Sequence, residues 1–255
     1  MNTKLILGAF VAALFLGMST TGGAVLASLD DFTDVRVYDE NGELLLEQTI
    51  EPENPLLQRT THYLRLGALD GSSDAAKPGG GADPGTDCES DAYRTTGWYW
   101  NEPYRAQSDS YASIVGSALG EWDQHAGGAS ISAGAGSGDN GNAGVYDGVN
   151  QLEWENIGSG STVAVTTTWS YRGSGIAVES DGRYNTYYPW STSGASNAMD
   201  VESVVQHEVG HTFGLNHPSG PGIDCLTMYA YVNYGWTHGR TLGDGDILGI
   251  KAIYG

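Results

Sequence analysis

Three histidines and a glutamate lie in one run, His207 to His217, at spacings that suit a metal ion. His207 and His211 are four residues apart, so on a helix their imidazoles project from one face. Gly214 lets the chain leave the helix, because glycine adopts positive φ without a Cβ penalty, and the turn can bring His217 to the same point. Three imidazoles around zinc leave one coordination position open, which is typical of catalytic rather than structural zinc sites.

Glu208 follows the first of these histidines and places a carboxylate at the same site. Zinc lowers the pKa of bound water toward ~7, and a neighbouring carboxylate can accept the proton that the water loses. The run therefore predicts hydrolysis assisted by one zinc ion, with the three histidines as ligands and Glu208 as general base. Histidines on a solvated helix surface are the alternative, and the fixed offsets across the whole run argue against it.

The run reads H-E-x-x-H-x-x-G-x-x-H and resembles the zinc helix of the metzincin endopeptidases, which carry a methionine turn downstream. Met228 lies eleven residues after His217. The segment Thr227–Tyr229 resembles the Met-Tyr-Pro turn of the matrixin family, with Ala230 in place of the proline. Matrixins are therefore the family that the chain resembles most closely, and the resemblance implies a zinc endopeptidase.

The C-terminal tail, residues 242–255, also resembles the last helix of the matrixins. In that family two adjacent acids lie on this helix: one pairs with the mature N-terminal ammonium and the next braces the methionine turn. Alignment on Leu242 and Ile247 puts Gly245 at the first position and Asp246 at the second. The resemblance thus implies that Asp246 accepts hydrogen bonds at the methionine turn, and that the N-terminal salt bridge has no acid.

Hydrophobic periodicity predicts the elements that position these residues. Residues 111–122 repeat apolar side chains every three to four positions, which predicts a helix capped by Ser108 or Asp109. The stretch from Thr162 to Trp169 has the strongest β propensity in the chain. Strands followed by helices predict an α+β domain over residues 88–255. The resemblance implies a metzincin-like fold: a twisted mixed sheet, a zinc helix at the cleft and a small C-terminal subdomain with the methionine turn.

The first 87 residues are predicted to be accessory to that domain. Lys4, an apolar stretch of signal-peptide length and a small-residue site ending at Ala27 predict a signal peptide over residues 1–27. We therefore expect a secreted, extracellular protein; the alternative, a membrane anchor, needs a longer apolar run. Residues 28–87 are interpreted as an appendage and linker, either a propeptide or an accessory module, with a hairpin signal at Asn41-Gly42.

Cys88 and Cys225 are the only cysteines in the chain. In an exported protein such a pair predicts a disulfide, which would contribute up to about 4–5 kcal/mol in the chain-entropy model. The alternative is the latency of matrixins, in which a propeptide cysteine occupies the open position of the zinc. The residues that flank Cys88 do not resemble that motif, so we favour the disulfide.

The chain has 11 Lys and Arg against 31 Asp and Glu, a formal net charge of −20. Such a charge disfavours binding to nucleic acid and, once the signal peptide is removed, to anionic membranes. The acidic excess favours a halophilic, high-salt setting in which self-repulsion is screened, the alternative being an ordinary acidic secreted protein. Asp139, Asp147, Glu179 and Asp181 lie in Gly-rich or Asn-rich turns and could bind calcium, or could be solvated loop carboxylates.

We expect a monomer that binds a protein or peptide substrate in an extended conformation. An exposed sheet edge takes such a substrate by strand addition, and the strand Thr162 to Trp169 is predicted to provide it. His62 and His238 lack a partner at metal-binding spacing and are interpreted as surface residues. A secreted zinc-binding interaction module without catalysis is the alternative function, and Glu208 argues against it because such a module needs no general base.

Overall fold

The computed structural model describes residues 34–67, 83–85, 88–127, 131–138 and 141–255. The predicted signal peptide and most of the predicted linker lie outside the described residues. Within these ranges the strands are β1 (Asp34–Tyr38), β2 (Leu44–Ile50), β3 (Leu57–Leu66), β4 (Arg94–Thr95), β5 (Arg105–Ser108), β6 (Gly134–Ser137), β7 (Asn150–Glu155), β8 (Thr162–Tyr171), β9 (Ala177–Asn185), β10 (Trp190–Ser191), β11 (Met199–Asp200), β12 (Leu215–Asn216) and β13 (Tyr231–Val232). The helices are α1 (Ala112–His125), α2 (Val201–Thr212), α3 (Asp244–Tyr254) and a short 3-10 helix, His238–Arg240.

One mixed sheet dominates the fold, in the order β1-β2-β3-β8-β9-β7-β5-β6, with β13 also paired to β3. Strands β6, β5, β7 and β9 run parallel to one another. Strand β8 is antiparallel to both β9 and β3. Strands and helices in one twisted, mixed arrangement confirm the predicted α+β class.

Helix α1 begins at Ala112, too far along the chain for Ser108 or Asp109 to be its N-cap. Its N-cap is Tyr111, which has φ 52° and makes no side-chain capping bond. Ser108 ends strand β5 instead, and the carboxylate of Asp109 accepts a hydrogen bond from the backbone N–H of Trp154 at 3.2 Å. The capping prediction was wrong because both side chains are engaged by the sheet.

The apolar face of α1 packs against α2 and orients it. Its buried residues are Val115, Ala118, Leu119 and Trp122, four of the six apolar residues in the predicted stripe. Of the other two, Ile114 is half-buried and Tyr111 is exposed. Trp122 also donates a hydrogen bond from Nε1 to the backbone carbonyl of Gln206 in α2, at 2.9 Å. Burial of one large aromatic side chain with its N–H satisfied thus couples the two helices.

The N-terminal strands β1, β2 and β3 extend the sheet of the predicted domain over residues 88–255, hereafter the larger domain. Strands β1 and β2 form the antiparallel hairpin that Asn41-Gly42 predicts. Strand β3, which the sequence reasoning missed, pairs with β8 from Leu57 opposite Tyr171 to Arg65 opposite Thr162. The prediction that Thr162 to Trp169 forms an exposed edge was therefore wrong, because β3 and β9 pair with this strand on both sides.

Cys88 and Cys225 form a disulfide with an S–S distance of 2.01 Å, which confirms the predicted pair. The bridge ties the start of the larger domain to the segment just before Met228. Since Cys88 is bonded, it is not the free thiol that a cysteine-based latency requires. Among the described residues, no helix is long and apolar enough to span a bilayer.

Candidate metal centre

Helix α2 is fixed at its start by Asp200. The Asp200 carboxylate accepts a hydrogen bond from the backbone N–H of Ser203 at 3.0 Å, a standard N-cap contact. The same buried carboxylate pairs with Arg240 at 2.6 Å. The helix that follows is almost wholly buried, and it carries His207 and His211 on the face that meets the sheet and the C-terminal segment.

The end of α2 turns on Gly214, which has φ +95°. Its N–H donates to the carbonyl of His211 at 2.9 Å, and a Cβ at this position would lie 2.6 Å from the carbonyl oxygen of Trp98. Only glycine fits both the backbone conformation and the space. Strand β12 then pairs with β4 and carries the chain to His217.

The Nε2 atoms of the three histidines converge. They are 3.0 Å apart for His211 and His207, 3.0 Å for His211 and His217, and 3.2 Å for His207 and His217. The Nδ1 of His207 lies 2.6 Å from the carbonyl oxygen of Thr227, and that of His211 lies 3.0 Å from the carbonyl oxygen of Leu215. A carbonyl oxygen can only accept a hydrogen bond, so Nδ1 of each ring must carry the proton. In the neutral rings of His207 and His211, Nε2 therefore has a free lone pair.

This arrangement fits a zinc ion. Bare nitrogens at such distances repel one another unless a cation lies among them, and Zn–N bonds of about 2.0–2.1 Å in tetrahedral geometry separate the ligand atoms by about 3.3 Å. Burial lowers the pKa of His207 to about 4, and lowers those of His211 and His217 well below the usual value. All three rings are therefore neutral at pH 7, the form that binds metal. Among the described residues they are the one group of this kind that could hold a metal ion.

Glu208 is buried beside the triad, on the sheet side of α2. The hydroxyl of Thr166 in β8 donates to its Oε2, while Oε1 has no hydrogen-bond partner among the described residues. Burial raises the pKa of Glu208 to about 8, although the Thr166 hydrogen bond acts in the opposite direction. A cation held by the histidines would favour the ionised carboxylate, so this site can present one oriented, otherwise unpaired carboxylate oxygen.

His62, which we expected at the surface, is fully buried against the triad. Its ring stacks on that of His211 with 4.0 Å between centroids and an interplanar angle of 11°, and meets His217 edge-on at 6.0 Å. Neither ring nitrogen of His62 has a hydrogen-bond partner among the described residues. The prediction was wrong because it depended on sequence spacing, whereas β-pairing of β3 with β8 brings His62 to the site.

His238 was also expected at the surface and is buried as well. Its Nδ1 lies 3.2 Å from the carboxylate of Asp83, a residue of the predicted linker. The same carboxylate accepts hydrogen bonds from the backbone N–H and the hydroxyl of Thr237. A short piece of the linker is thus held against the C-terminal part of the domain.

Met228 packs against α2 at Gly210. A Cβ built on Gly210 would lie 2.2 Å from the sulfur of Met228 and 2.8 Å from the ring of Trp122. Glycine at this position lets the methionine and the tryptophan approach the helix backbone directly. Met228 is itself buried at this contact with α2.

Asp246 is buried beside Met228 and accepts three backbone hydrogen bonds. The donors are the N–H groups of Thr227 at 2.8 Å, Met228 at 3.1 Å and Gly243 at 2.9 Å. Burial raises the pKa of Asp246 to about 6, against the effect of these hydrogen bonds, so the side chain is ionised at pH 7. At the preceding position, a Cβ on Gly245 would lie 2.2 Å from a backbone oxygen in the segment after Cys88, which leaves no room for an acid.

Two of the carboxylates proposed for calcium, Glu179 and Asp181, lie in strand β9 and not in turns as predicted, and they brace a neighbouring loop. Glu179 accepts hydrogen bonds from the backbone N–H of Asp147, and Asp181 accepts from those of Gly144 at 2.7 Å and Gln151 at 2.9 Å. Burial raises the pKa of Glu179 to about 7 and that of Asp181 to about 8. The fourth residue of the predicted set, Asp139, lies outside the described residues, and calcium binding stays a prediction.

Comparison with known proteins identifies the family. The family model of the matrixins, peptidase family M10, matches residues 101–255, which is more than half of the chain. Human neutrophil collagenase is 33% identical over 81 residues, which cover 32% of this chain and 16% of the collagenase. The chain thus aligns with only a small part of that curated relative. It belongs to the matrixin family, whose members are zinc metalloendopeptidases.

Proposed function

We propose that this chain is a secreted zinc-dependent endopeptidase that hydrolyses peptide bonds, with His207, His211 and His217 as metal ligands and Glu208 as general base. One observation carries the proposal: three buried imidazole nitrogens lie within 3.0–3.2 Å of one another, beside a buried carboxylate. Membership of the matrixin family supports the same reaction class.

The side chains around the triad have separate roles in this proposal. A bound zinc ion would supply Lewis acidity, polarising the scissile carbonyl and acidifying the attacking water. Glu208 accepts the proton of that water and later delivers it to the leaving amine. Thr166 holds one carboxylate oxygen of Glu208, so the other is oriented for proton transfer. Met228 and Asp246 keep the floor of the site in place.

The substrate is proposed to bind as an extended strand, because strand addition satisfies its backbone and holds the scissile bond in a defined position. Strand β8 carries Thr166 and therefore passes next to Glu208, which makes its outer edge the suitable template. In this structure β3 is paired with that edge. A substrate can use it only after β3 has moved.

The test measures metal content and hydrolysis together. Because β3 covers the edge, the assay uses both the intact chain and a chain with a site for a sequence-specific cysteine protease, which chelators do not inhibit, placed within residues 68–82 and cleaved. We expect one zinc ion per chain, and hydrolysis of a quenched peptide by the cleaved chain that a chelator abolishes and added zinc restores. A cleaved, zinc-loaded and folded chain without turnover would instead indicate a non-catalytic zinc-binding module.

A further inference from the structure

We propose that strand β3 is an intramolecular inhibitor that occupies the substrate cleft, with His62 covering the metal-binding triad. The inference rests on the proposed function and names the regulation of that site. The observations that carry it are the backbone pairing of β3, the position of His62 and the contacts that hold the N-terminal strands in place.

Strand β3 is hydrogen-bonded to both walls of the cleft. On one side it is antiparallel to β8 along most of its length. On the other side the N–H of Arg65 donates to the carbonyl of Ala230 at 3.1 Å, and that of Gly67 donates to the carbonyl of Val232 at 3.0 Å. Ala230 and Val232 lie just after Met228, so β3 bridges the sheet and the segment that forms the floor of the site. An extended peptide substrate would need the same backbone partners.

His62 is the residue of β3 that contacts the histidine triad. Its register partner in β8 is Thr166, the residue whose hydroxyl binds Glu208. The imidazole of His62 lies flat on that of His211, and its exposed fraction is 0%. Its neighbours on the same face of the strand, Thr60 and Leu64, are also buried. The face of the triad that lies toward β3 is therefore closed by the chain itself.

The chemistry of His62 suits an inhibitor better than a permanent sheet strand. A buried position in a strand that only completes a sheet is normally filled by an apolar side chain. Here both imidazole nitrogens are buried without a hydrogen-bond partner among the described residues. A buried, unpaired polar group is costly unless an additional partner satisfies it. Release of β3 would remove this cost, and while β3 is bound His62 covers the triad sterically by stacking on His211.

Side-chain contacts hold the N-terminal strands on the larger domain. Glu51 accepts a hydrogen bond from Nε1 of Trp169 at 2.8 Å, and the hydroxyl of Tyr231 donates to Asp39. The hydroxyl of Ser161 donates to the carboxylate of Glu43 at 2.6 Å. These contacts are polar and lie on both sides of the cleft, so they help hold the N-terminal strands against the larger domain.

The connection between β3 and the larger domain makes the inhibition dependent on an intact chain. Residues 68–82 are rich in Gly, Pro, Asp and Ser, a composition typical of linkers. A short linker keeps the two segments that it joins at an effective concentration in the millimolar range. Cleavage of the linker removes this high effective concentration. Binding of the N-terminal strands then depends on the protein concentration and is lost on dilution.

The first experiment cleaves the linker at an engineered site within residues 68–82 and follows hydrolysis of a quenched peptide during dilution. We expect the intact chain to be at least about tenfold less active than the cleaved chain at nanomolar concentration. A synthetic peptide of residues 34–67 should inhibit the cleaved chain again, whereas the same peptide carrying His62→Ala should inhibit more weakly. Equal activity of the intact and cleaved chains would overturn the inhibition while leaving the proposed function in place.

The second experiment does not depend on turnover. Cobalt(II) replaces zinc, and the visible spectrum reports whether acetohydroxamate reaches the metal in the intact wild-type chain, in His62→Ala and in the control Gln58→Ala. Gln58 lies on the same face of β3, farther from the triad. We expect a spectral change in His62→Ala alone, with far-UV circular dichroism unchanged. If the wild-type chain gives a spectral change of the same size, at the same acetohydroxamate concentration, as His62→Ala, its metal site is open and the proposal is contradicted.

The two experiments separate the possible failures. A chain that binds no cobalt and shows no hydrolysis after cleavage contradicts the proposed function itself. A chain that binds the metal and hydrolyses peptides equally well before and after cleavage contradicts only the role of β3. If release of the N-terminal strands unfolds the larger domain, the cobalt spectra of the intact variants decide the proposal.

Discussion

At the scale of single residues, Asp246 has the clearest structural role outside the metal ligands. In Asp246→Ala three buried backbone N–H groups lose their acceptor, and unpaired buried donors cost roughly 1–3 kcal/mol. We therefore expect the free energy of unfolding to fall by that amount and zinc retention in a chelator competition to weaken. The control is Asp244→Ala, an exposed acid in the same first turn, which should lose only about 0.3–1 kcal/mol. Equal effects of the two substitutions would leave Asp246 without a bracing role.

His238, also a single residue, makes the stability of the fold depend on pH. Burial lowers its pKa, although Asp83 acts in the opposite direction. The unfolded chain therefore takes up a proton on this histidine below pH ~6.5 while the folded chain resists, and stability falls as the pH falls through that value. Between pH 7 and pH 5 the unfolding free energy of wild type should therefore fall relative to that of His238→Gln. The fall should be at most about 1.4 kcal/mol per pH unit. A pH-independent difference would contradict the lowered pKa.

At the scale of elements, helix α2 depends on the absence of a side chain at Gly210. Alanine usually stabilises a helix interior by about 1 kcal/mol relative to glycine, but here its Cβ would lie 2.2 Å from the sulfur of Met228. Overpacking of this kind costs about 1–3 kcal/mol, so Gly210→Ala should destabilise the protein and displace Met228. Gly120→Ala is the matched control, since its Cβ in the exposed middle of α1 meets no atom within 4 Å. Thermal or urea unfolding of both variants should give effects of opposite sign.

Some elements of the fold could be predicted from the sequence and others could not. Helix α2 and the turn at Gly214 could be predicted because their signals are local: ligand spacing, an N-cap and a glycine at the helix end. The disulfide could be predicted because the chain offers a single pair. Strand β3 could not, because its residues show no strong alternation of apolar and polar types, although it pairs with the nearby β2 as well as the distant β8. The misplacement of His62 and the mistaken edge of β8 both followed from that missing strand.

At the scale of the whole molecule, the disulfide closes a loop with a sequence separation of 137 residues. In the chain-entropy model, so long a loop contributes about 4–5 kcal/mol by restricting the unfolded chain. The double variant Cys88→Ser and Cys225→Ser should therefore be less stable than wild type by up to that amount, with chemical denaturation as the measurement. A loss below about 1 kcal/mol would indicate that the bridge adds little to the contacts that α3 and the segment after Cys88 already make.

The central claim is tested most directly by the substitution Glu208→Gln, measured in the chain whose linker has been cleaved. The amide keeps the shape of the carboxylate and can accept from Thr166, but it cannot take a proton from water. The account predicts an unchanged zinc content and a loss of kcat/KM of about 10²–10⁴-fold, the usual contribution of a general base. Glu202→Gln, the same change at a partly exposed position of α2, should retain wild-type activity and zinc. Activity of Glu208→Gln within about tenfold of wild type, with zinc bound, would contradict the assignment of Glu208 as the base.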